Sequence, residues 1–293
     1  MNDSNPTSLV IIVDVNPERW AVRGNTEKDE YATFDQIIRS VVLFGNSYAL
    51  MHRDNRLSII ANHPNGSKFV YPPENTNMDT FAPTSHILGF ELIQSLIQLY
   101  EIEPNTKNDI NNKNDHIKKN NVILSFPQAL SMGLCIINRD IQKNPNIQPR
   151  MLILNITQDI PSTYSPVMNC IFSAQKLGAQ VDAIIFSAKA SPYLQQACFL
   201  TGGIYLHPDD QREHLQLMMT HCLPSNAMRK VLRAPMQKSI DFRASCFCHG
   251  KPLHFAYMCT VCLSLFCDDT MDTCMICDTQ ITKLKDISSM NIR

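Results

Sequence analysis

Seven of the chain's eleven cysteines fall in one stretch, spaced Cys246-x-Cys248-x10-Cys259-x2-Cys262-x4-Cys267-x6-Cys274-x2-Cys277. A Cys-x2-Cys pair turns two thiolates toward one point, and two such pairs complete the tetrahedral four-thiolate shell of a closed structural zinc site. Cys259, Cys262, Cys274 and Cys277 meet that requirement, with eleven residues between the pairs, and predict one structural zinc ion. Cys246, Cys248 and Cys267 are interleaved with this set. With His249 as a fourth ligand they could form a second site in the cross-braced manner of RING-like modules. The full pattern would want a further cysteine soon after Cys267, where Asp268, Asp269 and Thr270 stand instead. A second zinc ion and a packed, metal-free half are both open.

The module spans residues 240–285. So short a segment has too few apolar groups to fold alone, so metal binding should supply much of its folding free energy. From Asp241 to Lys285 it holds four basic residues (Arg243, Lys251, Lys283, Lys285) and five acidic ones (Asp241, Asp268, Asp269, Asp272, Asp278). A finger that grips phosphates should be plainly basic. Phe247, Phe255, Tyr257, Val261, Leu263, Leu265 and Phe266 are more apolar side chains than its small core needs. That surplus points to docking on a protein partner.

What precedes the module must position it. The chain has 293 residues, 44% hydrophobic and 18% charged, with a formal net charge of -1. This composition describes a folded protein with a real core and no global field for nucleic acid or anionic lipid. No apolar run approaches the roughly 20 residues of a membrane span, and Met1 to Thr7 is unlike a signal peptide, so a soluble protein inside the cell is expected. In that compartment cysteines are thiols or metal ligands rather than disulfides. Cys135, Cys170, Cys198 and Cys222, scattered in apolar helical stretches, read as core packing.

Ser8 to Val15 reads as a strand buried on both faces, followed by a helix from Thr33 to Met51. Leu57 to Ala61 and Lys68 to Tyr71 could pair as a hairpin about Asn65-Gly66. A second long helix covers 85–102. The Asn/Lys/Asp-rich segment 105–121 reads as a disordered surface insertion. Beyond it, helices at 126–143, 164–177, 192–200 and 209–222 alternate with strands at 150–156, 181–186 and 204–206. Such alternation predicts an α/β domain over residues 8–223, with a doubly wound, mostly parallel sheet. Residues 224–239 read as a linker with a small basic cluster, Arg229, Lys230 and Arg233.

Ligands of open α/β sheets sit at the carboxyl ends of the strands, which directs attention to Asp14 and the residues after it. No glycine-rich phosphate turn follows, and Gly-x-Ser-x-Gly, His-Glu-x-x-His and kinase signatures are absent. Single histidines such as His52, His63, His86 and His207 fall in loops or at element ends. The order of elements resembles the von Willebrand A fold, whose metal motif is Asp-x-Ser-x-Ser at this strand end. Here Asn16 and Glu18 replace both serines, and Asp159 is the one obvious later carboxylate. A degenerate, empty motif is expected, with Asp14 capping a turn or bonding to the next loop.

An A-like domain ending in a cysteine-rich module resembles one family in particular, the small A-domain and zinc-finger subunit of the transcription factor IIH core. The resemblance runs through Val13-Asp14-Val15-Asn16-Pro17, Phe44-Gly45-Asn46-Ser47, Gln195-Gln196-Ala197-Cys198, Thr201-Gly202-Gly203-Ile204-Tyr205-Leu206 and Asp241-Phe242-Arg243-Ala244-Ser245-Cys246-Phe247-Cys248-His249. It implies a nuclear, non-catalytic member of an obligate hetero-complex, acting in RNA polymerase II initiation and nucleotide excision repair. The implied partner is a larger A-domain and RING-containing subunit, and through it the helicase subunits. No sequence-specific nucleic-acid contact and no membrane contact is implied. Two other classes compete: a RING-type ubiquitin ligase and a metal-dependent adhesion A domain.

Overall fold

The computed structural model describes residues 5–24, 31–72, 85–101, 115–232, 246–248, 253–268 and 272–280. Its centre is a six-stranded sheet in the order β3-β2-β1-β4-β5-β6, built from β1 (Thr7–Asp14), β2 (Arg56–His63), β3 (Gly66–Tyr71), β4 (Gln148–Asn155), β5 (Gln180–Ile185) and β6 (Tyr205–Leu206). All neighbours are parallel except β2 and β3, which form the expected hairpin. Every residue of β1 is buried, as its unbroken apolar run requires of a strand covered on both faces. Leu9, Ile11 and Val13 face one core layer, and Val10 and Ile12 face the other.

Helices α2 (Phe34–Met51) and α3 (Ser85–Glu101) cover the first face; α4 (Asp115–Lys143), α5 (Tyr164–Lys176) and α6 (Pro192–Thr201) cover the second. Thr33 starts α2 with a capping box, its hydroxyl accepting from Gln36 N while Gln36 Oε1 accepts from Thr33 N at 3.0 Å. Ile37, Val41, Phe44 and Tyr48 then fall on one buried stripe, each contributing on the order of 1.5–3 kcal/mol by leaving water.

Four features differ from the sequence reading. Pro17–Gly24 is a short helix, α1, rather than a turn: Asn16 caps it, Pro17 occupies its first position, and Trp20 Nε1 donates to Asp14 O at 2.9 Å. Residues 115–121, expected as part of a disordered insertion, belong to α4, whose packed body propagates outward into polar sequence once nucleated. Residues 105–114 lie outside the described residues.

Thirdly, the segment expected as one helix over 209–222 is a 3-10 turn (Gln211–Glu213), a short α7 (His214–Leu217) and a π turn (Met218–Cys222). Finally, the linker is not wholly free of the domain. Its first part forms α8 (Asn226–Arg229), capped by Ser225, and Arg229 is fixed to the strand residue Asp182. Cys170, Cys198 and Cys222 are buried as expected, whereas Cys135 is exposed on α4.

Between α6 and β6 the chain turns on two glycines. Gly202 adopts φ 69°, a left-handed helix end. A Cβ on Gly203 would lie 1.8 Å from Val181 O, so no other residue fits without moving β5.

Candidate metal centre

A two-stranded hairpin, β7 (Tyr257–Met258) and β8 (Leu265–Phe266), organises the module. Cys259 and Cys262 lie in its turn. Leu263 N donates to Cys259 O and Cys259 N to Ser264 O, both at 2.9 Å. The Cys274-Cys277 turn repeats this construction, with Asp278 N donating to Cys274 O at 2.9 Å and Cys274 N to Thr279 O at 2.8 Å. In each, the residue after the second cysteine is left-handed: Leu263 has φ 60° and Asp278 φ 53°. Neither is glycine; Asp278 is of a type enriched in this region, but Leu263 gave no signal of its bend.

The sulfurs of Cys259, Cys262, Cys274 and Cys277 all lie within 4.8 Å of one another, with Cys259 to Cys277 at 3.7 Å and Cys262 to Cys274 at 3.5 Å. With zinc–sulfur bonds of about 2.3 Å, a tetrahedral shell has sulfur–sulfur edges of about 3.8 Å. The four thiols therefore already stand near the corners of such a shell and can hold a metal ion. The second cysteine of each turn also meets a hydroxyl two residues on. Cys262 Sγ lies 3.1 Å from Ser264 Oγ, and Cys277 Sγ lies 3.2 Å from Thr279 Oγ1. The Ser264 bond brings the Cys262 thiol down to about 6, and the Thr279 bond lowers Cys277. Burial pushes Cys274 up to about 11. The hydroxyls thus favour the thiolates a metal needs. Phe266 packs under Cys259 and Cys274 as the module's small core.

Cys246, Cys248 and Cys267 form a second thiol group, also within 4.8 Å, that could hold a metal ion. Phe247 N donates to Leu265 O at 2.9 Å, tying the first two to the hairpin base, and Cys267 directly follows β8. The two groups interleave along the chain in cross-braced order. Their chemistry differs, however. Burial drives Cys248 up to about 11, and a bond to Cys246 raises Cys267. His249, the expected fourth ligand, lies outside the described residues.

At the carboxyl edge of the large sheet, Asp14 is buried and spent on the backbone. It accepts from Asn16 N at 3.2 Å, Ile156 N at 3.3 Å and Thr157 N at 2.8 Å. Burial raises its carboxyl above the ordinary carboxylate range despite these donors. Asn16 accepts from Arg19 N as the cap of α1, and Glu18 is exposed in that helix's first turn. Asp159 accepts from Ser191 Oγ at 2.6 Å and Tyr193 N at 3.0 Å. A cavity of only 70 Å³ separates the two carboxylates.

Sequence reasoning missed a buried charge cluster. Arg150 on β4 and Asp182 on β5 sit on one sheet face, two residues apart in register. Arg150 Nη2 donates to Asp182 Oδ2 at 3.3 Å, and Arg229 makes a two-pronged pair with the same carboxylate at 2.8 and 2.6 Å. Cys222 O, left without an intrahelical donor at the end of the π turn, accepts from both guanidiniums. The signal was present in RMLILN and VDAIIF, two apolar strands each interrupted by one charge, of opposite sign.

Fold and site together define a class: a von Willebrand A-like α/β domain followed by a cysteine-rich module whose thiols can hold a metal ion. Residues 6–278 match the family described as Transcription factor Tfb4, and the chain belongs to that family. It is 36% identical over 274 residues to General transcription factor IIH subunit 3 of Dictyostelium discoideum, covering 88% of this chain and 71% of that one. It is 31% identical over 286 residues to General transcription and DNA repair factor IIH subunit tfb4 of Schizosaccharomyces pombe, covering 96% and 90%. The crystal structure of the TFIIH p34 N-terminal domain superposes with a TM-score of 0.60 at 21% identity, covering 75% of this chain and all but 1% of that one, a likeness of fold. Subunits of this family are non-catalytic members of a multi-subunit general transcription and repair factor. Among the described residues no helix is long and apolar enough to cross a membrane.

Proposed function

We infer that the chain is a scaffold subunit of the transcription factor IIH core. It works in the nucleus, in RNA polymerase II initiation and nucleotide excision repair. It docks and stabilises a larger subunit, with its own A-type domain and RING module, that regulates a helicase. Zinc is the ion assigned to Cys259, Cys262, Cys274 and Cys277, whose all-thiolate, near-tetrahedral set suits it. The A-like domain serves as a second docking surface without metal chemistry of its own, a reading supported by the protein donors already bound to Asp14 and Asp159.

The observation that carries the docking reading is the outer face of the metal module. Phe255 is 93% exposed and Val261 63%, with Tyr257, Met258, Leu263 and Met275 also more than half open to solvent. So dense an apolar surface on so small a module needs a covering partner. Tagged full-length chain purified from nuclear extract should bring the other core subunits with it. Phe255→Asp together with Val261→Asp should lose the larger subunit while keeping the bound zinc, measured by elemental analysis. Retention of that subunit by the double variant would sink the docking role of this face. The interleaved Cys246, Cys248 and Cys267 group favours a ligase as the second reading. An autoubiquitylation assay with purified components should give no product, and a product chain would replace the scaffold reading.

A further inference from the structure

The four thiols of the metal centre are not equally placed. Cys259 and Cys274 are 3% and 0% exposed, while Cys262 and Cys277 are only partly covered. Burial therefore keeps reagents from one sulfur of each turn, and the other sulfur is the point of attack. In both turns it is this second, more open sulfur that meets a side-chain hydroxyl, Ser264 Oγ at 3.1 Å from Cys262 and Thr279 Oγ1 at 3.2 Å from Cys277. The same two residues close the turns with their carbonyls, which accept from Cys259 N and Cys274 N. That bond asks nothing of the side chain, so turn closure does not explain a hydroxyl at both positions.

A metal-bound thiolate carries no proton, so in the loaded centre each hydroxyl is the donor. Thr279 Oγ1 also lies 3.4 Å from Cys277 O, but the charged sulfur is nearer and the stronger acceptor. A thiolate attacks an alkylating electrophile with the same lone-pair density that such a bond engages, and its nucleophilicity falls as its basicity falls. With iodoacetamide the sulfur forms a bond to carbon as the carbon–iodine bond breaks, and iodide leaves with the bonding pair. The product is a neutral thioether where a thiolate ligand stood, and the metal shell is opened.

We propose that Ser264 and Thr279 shield the metal centre: their hydroxyls donate to the two solvent-open thiolates, blunt their attack on electrophiles and so slow the loss of the ion. Burial protects Cys259 and Cys274, and hydrogen bonding protects the pair that burial leaves open. This shielding rests on the assignment of zinc to the four thiols.

The test treats the full-length, zinc-loaded chain with iodoacetamide at pH 8, following zinc release with a chromogenic chelator and alkylation by mass spectrometry. Exposed Cys135 on α4 is the internal reference. Ser264→Ala should speed alkylation of Cys262 and zinc release by about fivefold, and Thr279→Val should do the same at Cys277, as part of a charge-assisted hydrogen bond is lost. Thr279→Ser keeps the hydroxyl and should stay within about twofold of native. Cys135 should react at one rate throughout. Elemental analysis of the native chain tests the ion itself: a chain without zinc would sink that assignment and the shielding with it. Full zinc content with native rates in Ser264→Ala and Thr279→Val would overturn the shielding alone. So would equal acceleration in Thr279→Ser or a parallel rise at Cys135, either of which would mean a loosened protein rather than a lost donor. Should Ser264→Ala, at a site only 4% exposed, fail to hold zinc, the comparison of Thr279→Val with Thr279→Ser decides.

Discussion

Replacing Asp182 by Asn is expected to destabilise the α/β domain more than any single change to the arginines it holds. In the native state two guanidiniums, nearly sealed from solvent, share this carboxylate, which also accepts from Ile204 N at 2.9 Å. Asp182→Asn keeps the shape and removes the carboxylate that both arginines share, leaving two buried cations without it. Breaking a buried pair in this way costs about 3–5 kcal/mol, a large part of a domain's stability of roughly 5–15 kcal/mol. Arg229→Met removes one cation and leaves Arg150 and Asp182 as a one-to-one pair, so its cost should stay below about 2 kcal/mol.

The triple change Asp182→Val, Arg150→Met, Arg229→Met removes all the charge. It should recover most of the loss, less about 1–3 kcal/mol for the unpaired Ile204 N and Cys222 O. Urea unfolding can be followed through the chain's single tryptophan, Trp20, buried against Phe34 and Phe186, so the signal reports this domain and not the metal module. The midpoints should fall in the order native, Arg229→Met, triple, Asp182→Asn, at constant m-value. An Asp182→Asn protein more stable than Arg229→Met would refute the claim that excess positive charge governs this cluster.

Three further outcomes are expected. Leu263→Gly should leave the metal module as stable or up to about 1 kcal/mol more stable, read as slower zinc loss to a chelator, because φ 60° strains leucine and not glycine; Leu263→Val should accelerate that loss. Gly203→Ala should cost more than about 3 kcal/mol in the Trp20-monitored transition, since its Cβ collides with the Val181 carbonyl; a cost under about 1 kcal/mol would mean that β5 can shift freely. In metal-loaded protein at pH 8, iodoacetamide mapped by mass spectrometry should modify exposed Cys135 and spare Cys198 and Cys222, whose thiols burial drives well up. Labelling of Cys222 at the rate of Cys135 would show that the π turn opens in the native state.

The sheet was legible because each of its main strands is an apolar run bounded by turn residues, and each main helix keeps a 3.6-residue stripe. What escaped was decided by single side chains rather than by pattern. In α1, Asn16-Pro17 reads equally as a turn and as a cap with a first helical residue; the indole of Trp20 reaching back to Asp14 O selects the helix. The 209–222 segment has helical composition throughout, and no residue type marks where its ladder changes to the π spacing that Leu223 N makes with Met218 O. Arg229 reads as part of a solvated linker cluster, but its pair with Asp182 leaves its side chain nearly buried. At the metal centre the ligands were visible in their spacing. The hydroxyls of Ser264 and Thr279 were visible too, at matching positions, but only the folded turns show that they touch sulfur.

The likeness of the two cysteine turns has a kinetic consequence. Each is built alike, with two thiols, a left-handed residue and a hydroxyl-bearing one, but the first turn holds Cys262, brought down to about 6, and the second holds Cys274, pushed up to about 11. Whichever pair captures an ion, the other has to close a loop of eleven intervening residues, a search that flexible chains complete in roughly 10–100 ns. Loop closure is then a fast step, and which sulfurs take the ion first is left to their own acid–base chemistry.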